Sequence, residues 1–342
     1  MPCTPHESDS GLRRSVTLAS MPGKRAFEEQ IAALEALRQS PDEARLAALR
    51  KALGNRNNFI VGKAADLVRE LRVEQLIPDL LAAFDRFFEN PEKTDPQCWA
   101  KNAISHALAA LEHQQPDVFL RGMRHIQMEP VWGGRSDTAG TLRATCAFAL
   151  VQCRSVAETD LLAHLIDLQS DKDKAVRAEV ARAIEQVGSA SAALLLRQRA
   201  VLGNDEPEVL GACYSGVLRV EGFSAIPWVA RFLASADDAA GEAALAIAGT
   251  HSAEAFTVLR ECLEKSNDPW FLSVLLSAIA LTRQDAAFEF LLELVRTESL
   301  QAETAIEALL RSMPSAEIVQ RLEKLAAPNP RLARVFAMHK KS

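Results

Sequence analysis

The chain has 342 residues and a formal charge of −6, from 39 basic and 45 acidic side chains. Hydrophobic residues make up 48% and charged residues 25%, ordinary globular proportions that exclude wholesale disorder; 15 Gly and 15 Pro exclude collagen and are too few for the many turns of a sandwich or barrel. Within the apolar half, 57 Ala and 44 Leu stand against one Tyr and 6% aromatic residues, so the composition favours helices over strands and the expected class is all-α.

The acidic balance argues against a dedicated nucleic-acid binder, which usually carries a basic face. No apolar run approaches the roughly eighteen residues of a membrane span, and Met1 to Lys24 lacks the apolar centre of a signal peptide. A cytoplasmic protein without membrane partners is therefore expected. The cysteines at 3, 98, 146, 153, 213 and 262 form no C-x-x-C pair and are read as reduced, mostly buried thiols.

In chain order, residues 1–24 mix Pro, Ser, Thr and charges without periodicity and are read as a flexible tail. Phe27, Ile31, Leu34 and Leu37 then share one helical face, Ser40-Pro41-Asp42 breaks the chain, and Leu46, Leu49 and Leu53 begin a second face. This two-helix pattern recurs. First helices are marked by Ile60, Trp99, Leu142, Val176, Val209, Ala239, Phe271 and Gln301, at intervals of 39, 43, 34, 33, 30, 32 and 30 residues. Second helices open near Ile77, Phe119, Leu161, Leu194, Ile226, Phe256, Phe288 and Ile318, with Pro78, Pro116 and Pro227 in first turns, where a missing amide hydrogen costs little.

A drifting period near thirty to forty residues predicts a helical solenoid, since each hairpin must bury its apolar faces against its neighbours. Asp173-Lys174-Ala175-Val176-Arg177-Ala178-Glu179-Val180-Ala181-Arg182-Ala183-Ile184 resembles the D-x-x-V-R-x-x-A-x-x-A-L signature of HEAT-like repeats, and Leu142 to Leu150 resembles it more loosely. The resemblance covers residues 40 to 327. It implies a right-handed α-α superhelix of eight or nine hairpins, with second helices lining the concave face and adaptor work more often than catalysis. The expected organisation is a tail at 1–24, a repeat body at 25–327 and a basic C-terminal tail at 328–342. Ala178, Ala181, Ala212, Ala243, Ala244, Ala246 and Ala305 fall where neighbouring first helices must approach closely.

Walker, G-x-G-x-x-G, H-E-x-x-H and G-x-S-x-G motifs are absent, and no two of the seven histidines stand three or four residues apart. No catalytic, metal or cofactor residue is therefore assigned. The carboxylate pairs Asp171/Asp173, Asp205/Glu206 and Asp237/Asp238 fall in turns, where they cap helices.

Two insertions, Glu89 to Gln97 and Gln127 to Thr141, lengthen the early repeats. The second contains Trp132-Gly133-Gly134-Arg135-Ser136-Asp137. Trp132 is expected to dock, and two readings stay open: an apolar plug that packs the insertion onto the helices, or a binding loop with Trp132 as anchor and Arg135 and Asp137 as polar contacts. Equivalent positions of the second helices carry Arg121, His164, Gln198, Arg231, Glu261 and Glu293, a polar column that changes from basic to acidic. Arg121, Arg124 and His125, with Arg135, make the strongest basic cluster. Residues 160–300 hold 12 basic and 21 acidic side chains, a balance of −9, whereas residues 1–159 are neutral.

The leading expectation is a non-catalytic scaffold binding a protein or peptide segment, possibly acidic, in the concave groove, through Arg121, Arg124, His125, Trp132, Arg135, Asp137, His164 and Arg231. The alternatives are a protein similar to the HEAT-like bilin lyases and a nucleic-acid-binding helical-repeat protein. The acidic second half supplies no continuous basic groove for the latter.

Overall fold

A computed structural model describes residues 22–340. Two-helix units succeed one another along the chain. They are α1 (Pro22–Ala36) with α2 (Asp42–Leu53), α3 (Asn58–Glu70) with α4 (Ile77–Arg86), and, after the single turn α5 (Pro91–Thr94), α6 (Trp99–Ala110) with α7 (Pro116–Met123). A hairpin of β1 (Met128–Val131) and β2 (Gly134–Asp137) intervenes. Then come α8 (Gly140–Val151) with α9 (Glu158–Leu168), α10 (Lys174–Val187) with α11 (Ala190–Leu202), and α12 (Pro207–Glu221) with the short α13 (Ile226–Ala230), which a 3-10 turn at Arg231–Ser235 extends. The last units are α14 (Asp238–Ala248) with α15 (Ala253–Lys265), α16 (Pro269–Leu281) with α17 (Asp285–Arg296), and α18 (Ala302–Arg311) with α19 (Ala316–Ala326), closed by α20 (Pro330–His339). The all-α class holds, with the β-hairpin as its one departure among the described residues.

Helix starts follow local chemistry. Asn57, Asp173, Ser189, Asp237, Ser252, Asp268, Ser315 and Asn329 accept hydrogen bonds from first-turn amides, and Pro78, Pro116 and Pro227 stand in first turns as expected. Many of the hairpins turn through a single residue with positive φ, among them Arg72, Glu112, His251, Arg283 and Met313.

The first helices form one continuous row: α1 touches α3, α3 touches α6, and contacts run on through α8, α10, α12, α14, α16, α18 and α20. Each second helix packs on the first helix that follows it, as α4 on α6, α7 on α8 and α11 on α12. The alanines named for close approach, Ala178, Ala181, Ala212, Ala243, Ala244, Ala246 and Ala305, are all buried. Gly62 shows why small residues are needed in this row: a Cβ there would sit 2.7 Å from Cδ1 of Trp99 on the next first helix.

The ends depart from expectation. Residues 1–21, most of the expected N-terminal tail 1–24, lie outside the described residues, and α1 begins at Pro22. The expected basic tail 328–342 is instead mostly helix. Asn329 caps α20, Pro330 opens it, and Leu332 and Phe336, one turn apart, bury their side chains where it packs on α18 and α19. The basic residues drew the reading toward a tail, but the apolar i, i+4 pair decides the structure.

Candidate functional site

Both insertions interrupt the turn from a second helix to the next first helix, α4 to α6 and α7 to α8. Equivalent turns lie side by side along one edge of the stacked helices, so the insertions meet. Gln127, fully buried, is the join. Its Nε2 donates to the Asp95 carbonyl at 2.9 Å and to Glu129 Oε1 at 2.6 Å, while its Oε1 faces Cys98 Sγ at 3.2 Å and His125 Nε2 at 3.0 Å. Glu129 Oε1 also accepts from the Gln97 amide at 2.6 Å and the Thr138 hydroxyl at 2.8 Å. Across the join, Arg135 pairs with Glu92 at 2.7 Å.

Beneath the join lies a fully buried ion pair, Lys101 Nζ to Asp95 Oδ2 at 3.0 Å. Asp95 also accepts from the Ala100 and Lys101 amides at 2.8 and 3.0 Å and from Asn58 Nδ2 at 3.0 Å, and Lys101 donates to the Phe87 carbonyl at 3.2 Å. Every charge in this pair therefore has the partners that burial demands. The chain between them is strained: Gln97 and Cys98 both have positive φ, 59° and 53°. Non-glycine residues hold such angles only where surrounding contacts fix them, and the bonds from Glu129 and Gln127 do so here.

The second mount is Arg143, only 5% exposed on α8. Its guanidinium pairs with Asp137 at 2.7 Å, grips Asp171 bidentately at 2.7 and 3.0 Å, and donates to the His125 carbonyl at 2.9 Å. One repeat later Arg177 grips Asp205 in the same way, again 28 residues on. The Arg–Asp clamp is thus a repeat feature, to which the hairpin adds Asp137. Burial pushes the Asp137 carboxyl up, but the Gln127 and Ala139 amides and Arg143 outweigh it and hold the group below its ordinary range. Glu129 is likewise raised by burial and lowered further by Gln127, the Gln97 amide and Thr138, ending below its usual value. Burial lowers His125 despite the opposing bond with Gln127. The Cys98 thiol is pushed up to about 12 by burial, which keeps it protonated and inert.

This mount carries an apolar tip. β1 and β2 pair antiparallel from Met128–Asp137 to Val131–Gly134, leaving Trp132 and Gly133 as a two-residue turn, with Gly133 at φ +91°. A Cβ on Gly133 would meet nothing within 4 Å, so the glycine serves the backbone angle rather than a close approach. Trp132 is fully exposed at 104%, and Ile126, Met128 and Val131 beside it are 66%, 40% and 48% exposed. The expected docking of Trp132 is therefore corrected: the insertion is anchored by polar side chains at its base, and the indole projects from the tip.

The residues expected to bind fall into two groups. Arg121, Arg124, His125, Trp132, Arg135 and Asp137 gather at this end. Arg121 pairs with Asp85 at 2.6 Å and stacks over Phe88 at 3.9 Å, and His125 meets the same ring edge-on at 4.8 Å. Arg124 is exposed, and its side chain makes no ion pair or hydrogen bond among the described residues. Asp137 is structural. His164 on α9 and Arg231 after α13 lie apart from this group, with Arg231 stacked on Trp228 and Phe232. The sequence reading missed Asp95, Lys101, Gln127, Glu129 and Arg143, and it took Asp171 and Asp205 as helix caps, whereas each grips an arginine of a first helix, Arg143 and Arg177. Lys101 and Arg143, charged residues at positions where the helical spacing calls for burial, were the available signal.

No group of three or more His, Cys, Asp or Glu among the described residues is arranged to hold a metal, and no described helix is long and apolar enough to cross a membrane. Comparison with known proteins finds no matching family model and no matching curated protein.

Proposed function

We propose that this chain is a non-catalytic scaffold, a right-handed HEAT-like superhelix of nine hairpins capped by α20, that captures a protein partner with the β1–β2 arm. The observation that carries the reading is a fully exposed Trp132 at the tip of a hairpin whose base is fixed by buried polar bonds. Exposing a large aromatic side chain is unfavourable in an isolated protein and favourable in one that buries it against a partner. The rigid base adds affinity, because little order is lost on binding. Arg124, whose side chain makes no ion pair among the described residues, is a charge at this end of the chain available to an acidic group on that partner.

The reading shifts the site away from an inner groove lined by second helices. A stack curves toward its closely packed side, and here the continuous row is that of the first helices; among second helices such contacts run from α2 to α4 and from α13 to α19. The second helices bearing Arg121, His164 and Arg231 then fall on the outer side, and the arm stands at the edge. The repeat body spans 25–327 in a cytoplasmic protein, with α20 as its end cap.

The test is the substitution Trp132→Ala. It should leave the melting temperature unchanged, since the indole makes no packing contacts, and weaken partner capture by about 2 kcal/mol or more, as loss of an aromatic anchor does. Retention of every wild-type partner by a folded Trp132→Ala variant overturns the proposal.

A further inference from the structure

An open cleft between second helices of the later units matches the chain's own arm. It holds about 700 Å³ between α13, α15 and the start of α16. Pro227, Leu233, Val258 and Phe271 give it apolar walls, and Glu261, Lys265 and Asp268 add charges of both signs, Glu261 among them without an ion pair among the described residues. The arm presents the reverse: an apolar tip of Val131 and Trp132, with Arg124 at its foot. Arg124 and Glu261 are both exposed, and neither side chain makes an ion pair or hydrogen bond among the described residues. Burying an indole removes roughly 150–250 Å² of surface from water, which an open apolar cleft of this size accommodates.

The arm cannot reach this cleft in its own chain. Its four-residue strands extend about 14 Å at 3.4 Å per residue. From α7, where the arm is rooted, the cleft lies beyond α9 and α11, some three helix spacings of about 8–10 Å each. Cleft and arm also share one edge of the stack, because the loop Ser266–Asp268 that closes the cleft is, like the arm, a turn from a second to a first helix.

We infer that the arm of one copy docks in the α13–α15 cleft of a second copy, giving a head-to-tail interface with Trp132 in the cleft and Arg124 against Glu261. This rests on the arm being a protein-docking element and names its partner as the same chain. Such an interface is heterologous, so an open assembly leaves one unused arm and one unused cleft at its two ends until it closes into a ring.

Sedimentation velocity of the full chain across a concentration series tests it. Wild type should associate reversibly. Trp132→Ala and Ala234→Arg, the latter placing a bulky cation in the exposed cleft wall, should each abolish self-association, with at least a thirtyfold weakening for Trp132→Ala. Mixing these two variants should restore one-to-one dimers and nothing larger, because one sound cleft meets one sound arm. Arg124→Glu or Glu261→Arg alone should weaken association about tenfold, and both together in one chain should recover it. A wild-type chain monomeric to roughly 0.5 mM, weaker than useful recognition, overturns the inference while leaving the arm free to capture a different protein. Association that survives Trp132→Ala, or a variant mixture that stays monomeric, overturns it as well. Loss of foreign-partner capture by Trp132→Ala is read separately, so the two proposals fail independently.

Discussion

Arg283 sits at φ 55° between α16 and α17, exposed, and its side chain makes no hydrogen bond or ion pair among the described residues. A non-glycine residue in the left-handed region carries a steric cost that glycine does not. Arg283→Gly should therefore stabilise the protein, by about 0.5–1 kcal/mol after the entropy of the freer unfolded chain is counted, and Arg283→Val should destabilise it; denaturant titration checks both. Residue-level features were legible in the sequence where one residue type has one local use. The prolines and the capping Asp173 and Asp237 sit where their chemistry places them. Trp132 was not legible in this way. Its size argues for burial in an isolated fold, and only the polar anchoring of Gln127, Glu129 and Asp137 lets it stand clear. Gln97 and Cys98 carry no sequence mark of their strained backbone, because neither is a residue that favours it.

The arm as an element depends on Arg143 more than on any residue within it. Removing that guanidinium leaves Asp137 and Asp171 without their countercharge, and breaking a buried ion pair from one side costs about 3–5 kcal/mol. Arg143→Met should lower stability by that order and raise hydrogen exchange across 127–138, while the end of the chain at α18 to α20 exchanges as before. The arm should also loosen in acid. Glu129 and Asp137 hold folded values below 4.5 and 3.8, so the stability they contribute is present above those values and lost as pH falls through the lower folded ones. His125 is lowered from 6.5, so the unfolded chain takes up its proton first and stability declines as pH drops below 6.5. Exchange protection of the arm, corrected for intrinsic rate, should be level above pH 7, erode below 6.5 and fall further as the pH drops below 4.5 and then below 3.8. Asp137→Asn should remove part of the lowest step. The limits of both insertions were legible as breaks in the repeat spacing. Their pairing was not, since it joins stretches more than thirty residues apart through an amide, a carboxylate and an arginine that spacing alone marks as ordinary.

At the scale of the molecule, the repeating contacts set how stability is shared. Along the row each first helix meets the one before it and the one after it, so the chain resembles a one-dimensional array in which a local loss spreads through adjoining interfaces and fades with distance. The repeat itself was legible, because apolar residues recur at a nearly fixed interval and the small residues between first helices keep their positions. The closing helix was misread because its charges outweighed two apolar residues in the reading. Phe336, almost fully buried where α20 meets α18 and α19, makes the array testable. Truncating a packed aromatic side chain costs about 3–5 kcal/mol, so Phe336→Ala should release α20 and expose the end of the row. Hydrogen exchange should then quicken strongly in α18 and α19, less in α16 and α17, and not at all in α8 or the arm. Capture by Trp132 should persist, because the arm's mount lies five first helices away from the end. A uniform rise in exchange over the whole chain would instead mean one cooperative core, and both the superhelix and the independence of its arm would have to be given up.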